Sequence, residues 1–422
     1  MSKMLLRNIR LVDIGVDRVC DILIDGCVIA DIKDRINGEA GKEIDCKGLT
    51  AIPSLFDMHV HFRDPGQTYK EDIVTGCKAA LAGGFTGVAC MPNTKPEVDS
   101  PDTVSYIVTK AKGSGVNVYP VACITKGLKG EELCDYRLLK AAGAIAVSDD
   151  GRPVEDPVML KNAMVAAYGL GMPVISHCED LKIISGGIIN KGEISERLGV
   201  KGMDRLSEDS ITEREVHTAA ATGTRIHIAH VSTKGSVEII RNAKKRGVNV
   251  TCETCPHYFT LTDEKLLLKD ADYRMNPPLR EEADRLAIIE GIKDGTIDCI
   301  VTDHAPHSVK EKANFYEAPN GIVGLETSLA ATLDMLYHKC GVSLEKIIEL
   351  MSVKPRQILG LPTETIKVGA PANICIADLE QEWKVDPSKF RSKGRNSAFK
   401  GMKLKGKPVG TISAGMLEYF ER

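Results

Sequence analysis

Ala51-Ile-Pro-Ser-Leu-Phe-Asp-Met-His-Val-His61 is the stretch on which the fold turns. It reads as one short apolar strand, Ala51–Val60, closing on His-x-His. Side chains two apart in a strand project to the same side, so His59 and His61 present two imidazoles together. Seven similar stretches follow: Phe85–Cys90, Val116–Ile124, Ala144–Ser148, Pro173–Ser176, Arg225–Val231, Val248–Cys252 and Asp298–Thr302. Helical patterns separate them, over Lys70–Leu81, Asp102–Lys112, Glu131–Ala142, Pro157–Leu170, Thr212–Thr222, Lys234–Arg246 and Glu282–Lys293. Pro157 after Asp156 marks a helix start, with a capping carboxylate and a first-turn proline.

Strands alternating with helices predict a parallel sheet, and eight such units are the number that closes a (β/α)8 TIM barrel. An open doubly wound sheet is the runner-up, but it would stop at about five to seven strands. A longer interval between the fifth and sixth strands predicts an insertion over 181–210. Before the barrel, LLRNIRLVD, CDILIDGCVIADI and EIDCKGLTAI alternate apolar and polar residues, punctuated by Gly26 and Gly38. That pattern predicts a small antiparallel sheet. Strand-like patterning returns in Ala372–Ala377, Ala398–Leu404 and Lys407–Ile412. The expected architecture is therefore α/β. A catalytic barrel spans 52–361, and a small β-rich domain is assembled from both chain ends, 1–51 and 362–422.

Composition narrows the function. Of 422 residues, 43% are hydrophobic and 27% charged, the balance of a chain with a large core. With 55 basic and 58 acidic residues the net charge is −3, and no basic stripe argues for nucleic acid. No apolar run approaches the about 20 residues of a membrane span. The opening MSKMLLRNIR lacks the apolar core of a signal peptide, so a cytoplasmic location is expected. Thirteen cysteines, odd in number and scattered through apolar runs, read as buried thiols rather than a disulfide framework. Cys252 and Cys255 form one C-x-x-C without the second pair that a zinc ribbon needs.

The chemistry sits at the strand ends. His59 and His61 end the first strand, Asp149 and Asp150 the fourth, His177 the fifth, His230 the sixth and Asp303 the eighth. A barrel brings all these ends to one face. Imidazoles and carboxylates gathered there suit one or two open-sited zinc ions, which produce hydroxide at neutral pH and polarise a carbonyl. Asp303 is placed to take a proton and return it to a leaving nitrogen. The implied reaction is hydrolysis, or its reverse, at an amide-like carbon. No G-x-S-x-G elbow, Walker A motif or strand-borne G-x-G-x-x-G competes with this reading. Between Asp149 and Asp150 the pattern alone does not choose. His217, His227 and His338 read as packing or surface residues, while His257 and His304 are candidates for supporting the site.

The motifs Asp57-Met-His-Val-His-Phe-Arg-Asp-Pro-Gly66, Gly83-Gly-Phe-Thr-Gly-Val-Ala-Cys-Met-Pro-Asn-Thr94, Ser148-Asp-Asp-Gly151, Ser176-His-Cys-Glu179, Ile228-Ala-His-Val-Ser232, Met275-Asn-Pro-Pro-Leu-Arg280, Thr302-Asp-His-Ala-Pro-His307 and Gly321-Ile-Val-Gly-Leu-Glu-Thr327 occur in that order. With them the chain resembles the amidohydrolase superfamily and, within it, the class I bacterial dihydroorotases. The resemblance implies two zinc ions, one on His59 and His61 and the other on His177 and His230, bridged by Asp150. It implies Asp303 as catalytic acid/base, and Arg63, Asn93, Asn276, His307, Asn320 and Gly321 as substrate contacts. The implied reaction is reversible closure of N-carbamoyl-L-aspartate to L-dihydroorotate in pyrimidine synthesis.

Asn320 departs from the aromatic residue usual in that loop, and Cys255-Pro256-His257-Tyr258 from the family's T-P-H-H. Two rivals stay open. Hydantoinase- or allantoinase-type relatives mostly bridge their metals with a carboxylated lysine on the fourth strand, where this chain has none. A non-catalytic scaffold of a carbamoyltransferase would have lost metal histidines that this chain keeps. A small-molecule substrate is implied, and the protein partners the resemblance allows are a second copy, as a homodimer, and an aspartate carbamoyltransferase.

Overall fold

The stretch Ala51–His61 is two strands rather than one. Thr50–Pro53 pairs with a C-terminal strand, and Leu55–Val60 begins the barrel. The break falls where the backbone changes partners: Ser54 donates its N–H to Asn373 O at 3.1 Å, and Leu55 donates to Gly84 O at 3.0 Å. The computed structural model describes residues 3–37 and 40–421. Gly38, read as a turn in the N-terminal sheet, lies outside the described residues.

The barrel has eight parallel strands: Leu55–Val60, Phe85–Cys90, Asn117–Ala122, Ala146–Val147, Ile175–Ser176, Ile226–Ile228, Val250–Thr254 and Cys299–Ile300. The first four pair in order, as do the last four. Parallel bridges Val147–Val174 and Val60–His304 join the two arcs and close the ring. The fold is thus a TIM barrel. Phe56, Met58, Ala89, Met91, Val121, Ala146, Ile175 and Val301 pack with the residues inside it. Leu55, Val88, Val118, Val147 and Ile300 face the helices. This is the two-sided burial expected of parallel strands.

Several barrel strands are shorter than the sequence suggests, and some helices start elsewhere. Ile73–Ala82 begins after Asp72, whose carboxylate accepts from Thr75 N–H. Tyr136–Ala142 begins after Asp135, which accepts from Arg137 and Leu138 N–H. In both, an aspartate cap overrides the apolar period. Pro157–Gly169 starts at its proline behind Asp156, in line with the sequence. The insertion holds a parallel pair, Ile189–Asn190 with Gly202–Met203, around a short helix, Glu193–Leu198. The helix after it begins at Leu206 rather than Thr212, where Asp204 accepts the Leu206 N–H.

The two chain ends form one eight-stranded sheet: Met4–Asp13, Val16–Asp25, Val28–Lys33, Lys42–Asp45, Thr50–Pro53, Ile374–Lys384, Lys403–Ser413 and Met416–Phe420. It is mixed rather than antiparallel, because Lys42–Asp45 and Thr50–Pro53 both run parallel to Met4–Asp13. The stretches read separately as Ala398–Leu404 and Lys407–Ile412 merge into the strand Lys403–Ser413. Gly406, at φ 98°, sits where the pairing with Ile374–Lys384 shifts register, and its carbonyl accepts the Trp383 indole N–H at 3.0 Å. Leu6, Ile9, Ile22, Ile374, Ile376 and Ile412 form this sheet's own apolar core.

Candidate metal centre and active site

Six side chains from five strand ends meet at the barrel mouth. Among the described residues, His59, His61 and Asp150 form one group able to hold a metal, and Asp150, His177 and His230 a second. Asp150 belongs to both. Its Oδ1 lies 3.5 Å from His59 Nε2, 3.5 Å from His177 Nδ1 and 3.6 Å from His230 Nε2, and its Oδ2 lies 3.5 Å from His61 Nε2. Asp303 Oδ1 approaches His61 Nε2 at 3.0 Å and His59 Nε2 at 3.7 Å. None of the six is more than 6% exposed.

The ambiguity between the two aspartates resolves by geometry. Asp149 turns away and accepts from Ile124 N–H at 2.7 Å, Thr125 N–H at 3.1 Å and the Thr125 hydroxyl. Asp150 is left to face the imidazoles. Gly151 follows it at φ 75°, a left-handed turn that glycine adopts without steric cost. Arg63, His230 and Asp303 also have positive φ, at 59°, 32° and 48°. Such backbone is costly for residues with a Cβ and concentrates at functional sites. It also ends the strand alternation, so His304 need not mirror Asp303.

The donor set fits a metal. His59 Nε2 and Asp150 Oδ1, 3.5 Å apart at the centre of the cluster, are buried without a hydrogen-bond partner among the described residues. Buried polar atoms left unpaired are rare and costly. The imidazoles are also held in suitable tautomers. His59 Nδ1 donates to Glu253 Oε1 at 2.6 Å, His61 Nδ1 to Asn93 Oδ1 at 2.8 Å, and His177 Nε2 to Glu179 Oε2 at 3.3 Å. Each leaves its other nitrogen facing Asp150, the arrangement of a metal-ligating histidine. His177 Nδ1 and His230 Nε2 share a hydrogen bond of 2.8 Å, and both nitrogens lie within 3.6 Å of Asp150 Oδ1.

The electrostatics agree. Burial alone would raise the Asp150 pKa, but His59, His177 and His230 hold it well below the usual carboxylate range. Asp303 is likewise lowered against burial, by His61, His59 and His230. His177 is raised to about 10, since Asp150 and Glu179 outweigh its burial. Anionic carboxylates and imidazoles that attract positive charge are what a divalent ion replaces protons among.

Arg63 is buried beside this cluster and donates Nε to Pro306 O at 3.3 Å. Burial lowers its pKa, while Asp303 and Asp150 oppose the shift. Asn93 Nδ2 donates to Asp150 Oδ2 at 3.3 Å, so Asn93 touches two candidate metal ligands. Asn276 Nδ2 donates to Glu179 Oε1 at 3.0 Å, one residue removed from His177. His307 Nε2 donates to Asn320 O at 2.9 Å, while Asn320 Oδ1 accepts from Arg274 Nη2 at 3.3 Å. The Asn320 side chain is therefore committed to Arg274. Gly321, at φ 135°, packs so closely that a Cβ would stand 2.8 Å from Ala305 Cβ.

Two carboxylates in the site were not singled out in the sequence. Glu179 and Glu253 each hold a histidine of the cluster. Glu253 had a visible signal: a charged residue directly after the apolar run Val248–Cys252, which the structure places within the strand Val250–Thr254. His227, read as wall packing, donates Nε2 to Glu253 Oε2 at 3.1 Å. His257 is buried and pushed down to about 4 by that burial. His304 lies 3.4 Å from Glu71 Oε2, and its Nδ1 accepts from Gly324 N–H at 3.2 Å. Cys252 and Cys255 are buried free thiols, and neither belongs to a metal-capable group among the described residues.

A family model described as dihydro-orotase-like matches residues 48–236. A dihydroorotase of Geobacter metallireducens is 50% identical over 408 residues, covering 96% of each chain. One from Ruminiclostridium cellulolyticum is 48% identical over 418 residues, covering 98% of this chain and 97% of its own. Among solved structures, L-hydantoinase from Arthrobacter aurescens superposes with a TM-score of 0.88 at 27% identity, covering 99% of this chain and 96% of its own. A dihydropyrimidinase from Brevibacillus agri, at 23% identity, shares the fold with a TM-score of 0.86 over 99% of this chain and 96% of its own.

Proposed function

The chain belongs to the dihydroorotase family of cyclic amidohydrolases, and from that premise we propose how its own residues run the reversible closure of N-carbamoyl-L-aspartate to L-dihydroorotate with loss of water. His59 and His61 would hold one zinc ion, His177 and His230 the second, and Asp150 would bridge them. Bound there, zinc would supply a water of lowered pKa and a Lewis acid for the ring carbonyl.

The protein's part is charge placement and proton movement. In the hydrolytic direction water adds to the ring carbonyl carbon, and the bond from that carbon to the ring nitrogen breaks. Asp303, held ionised by His61, His59 and His230, takes the water proton and delivers it to the departing nitrogen. In the closing direction the same carboxylate works in reverse. Arg63 offers a planar guanidinium to the substrate carboxylate. Asn93 and Asn276, whose amides now donate to Asp150 and Glu179, and His307 with the backbone at Asn320–Gly321 would supply the remaining substrate contacts.

The observation that carries this reading is the pair of metal-capable triads sharing Asp150, with Asp303 against His61. A hydantoinase-type bridge is argued against as well, since the nearest lysine before the fourth strand, Lys140, lies in the helix Tyr136–Ala142 and donates its Nζ to Leu170 O, outside the cluster. Zinc content measured beside dihydroorotate turnover tests the proposal. Two zinc per chain with turnover is expected, and a folded chain that binds no zinc would end it.

The same reading takes 1–51 with 362–422 as one β-rich domain beside a 52–361 barrel, supported by the shared eight-stranded sheet. It also includes a cytoplasmic setting, in keeping with family membership. No helix among the described residues is long and apolar enough to cross a membrane. A homodimer and an aspartate carbamoyltransferase complex are the associations to test, by sedimentation alone and with that enzyme.

A further inference from the structure

Glu253 lies in the seventh barrel strand and is fully buried. Its Oε1 accepts from His59 Nδ1 at 2.6 Å and from the His230 backbone N–H at 3.3 Å. Its Oε2 accepts from His227 Nε2 at 3.1 Å, and His227 Nδ1 lies 2.8 Å from Thr251 Oγ1. One carboxylate therefore ties together the first, sixth and seventh strands and touches two of the four clustered histidines. An ionised carboxylate only accepts, so both imidazoles must present N–H to it. For His59 this places the proton on Nδ1. The Nε2 lone pair is left for the cluster, and Nε2 is the atom without a hydrogen-bond partner, 3.5 Å from Asp150 Oδ1.

We propose that Glu253 is a positioning residue for the metal centre. It fixes the tautomer and orientation of His59 and the backbone of His230, while His227 and Thr251 anchor its second oxygen. This inference rests on the metal reading above. Glu253 reaches His59 through Nδ1 and His230 through its backbone N–H, not through the nitrogens that face Asp150. The rival is a third cation among His227, Glu253 and Cys299, whose ligand atoms lie within 4.8 Å of one another. His227 and Glu253 already spend those atoms on hydrogen bonds, and the Cys299 thiol is turned to Met58 Sδ at 3.6 Å.

The test compares the full-length wild type with Glu253→Gln and Glu253→Asp, each stripped by a chelator and dialysed against buffered zinc. Near-UV circular dichroism reports the fold. Gln keeps the shape but turns one acceptor into a donor. Asp keeps the charge but is one methylene too short to reach both His59 and His227. The expected result is two zinc per wild-type chain, and at least one equivalent bound about 10–100-fold more weakly in the variants at unchanged dichroism. If the Gln chain does not fold, the Asp chain, which keeps the buried charge, decides alone. Wild-type zinc affinity in a folded variant overturns the proposal, as does a third zinc in the wild type. A wild type that binds no zinc removes the metal reading itself, and this inference with it.

Discussion

Asp303 Oδ1 stands 3.0 Å from His61 Nε2, the shortest approach of either clustered aspartate to a metal-facing nitrogen. The proposed proton carrier thus borders the metal site without bridging it, whereas Asp150 lies between all four imidazoles.

Replacing Asp303 with Asn should separate chemistry from metal binding. Turnover is expected to fall by about 10²–10⁴-fold, the usual worth of general acid–base catalysis. Zinc content should stay at the wild-type level, because Asp150 and the four histidines remain. Turnover close to wild type would remove Asp303 from the reaction.

For Arg63 the expected effect lies in binding. Lys keeps the charge and loses the planar fork. A charge-assisted hydrogen bond is worth about 1.5–3 kcal/mol, so KM for dihydroorotate should rise by about tenfold or more in Arg63→Lys. Steady-state kinetics with both substrates checks this, and an unchanged KM for each excludes Arg63 from the site.

Asp150→Ala should lose zinc and activity together, since the deleted carboxylate is common to both metal groups. Reconstitution of the wild type should not depend on bicarbonate, because the bridge needs no carboxylated lysine. Bicarbonate-dependent recovery would contradict the assignment.

The segment from His307 to Gly321 is clamped by Lys312, whose Nζ donates to Arg274 O, Pro319 O and Gly321 O at 3.2, 3.0 and 3.1 Å. Lys312→Met removes all three bonds. Hydrogen exchange over 307–321 should quicken and KM should rise. Binding of dihydroorotate should slow exchange there in the wild type. Identical exchange with and without ligand would mean that the segment does not close over substrate.

His307 gives a pH signature. Burial, followed by Arg63, Lys70 and Lys312, pushes its imidazole down to about 2 from 6.5. As pH falls through 6.5 the unfolded chain takes up a proton that the folded chain refuses until about pH 2. The unfolded state then binds more protons, so stability falls with falling pH across that window. One proton is worth up to about 1.4 kcal/mol per pH unit. His307→Gln should show a smaller loss of Tm between pH 7 and pH 5 than the wild type. Equal losses would show that His307 is not held neutral.

Most of the candidate site was legible because strand ends are local features. Each of His59, His61, Asp150, His177, His230 and Asp303 follows an apolar run, and the count of runs identifies the barrel that makes those ends converge. The boundaries were less legible. Asp72 and Asp135 moved helix starts through caps, and a change of hydrogen-bond partners at Ser54 split one apparent strand into two.

The sequence by itself determined the eight-fold alternation, the positions of the metal-capable side chains and the lack of a fourth-strand lysine, because hydrophobic period and residue type are written along the chain. Tertiary structure alone decided that Asp149 turns to Ile124 and Thr125, that the end sheet is mixed, that Asn320 turns to Arg274, and that Glu253 supports His59. Each depends on which atom of a distant segment satisfies a buried donor or acceptor. No spacing along the chain encodes that pairing, which is set only when the strands close into a ring and water leaves the groups between them.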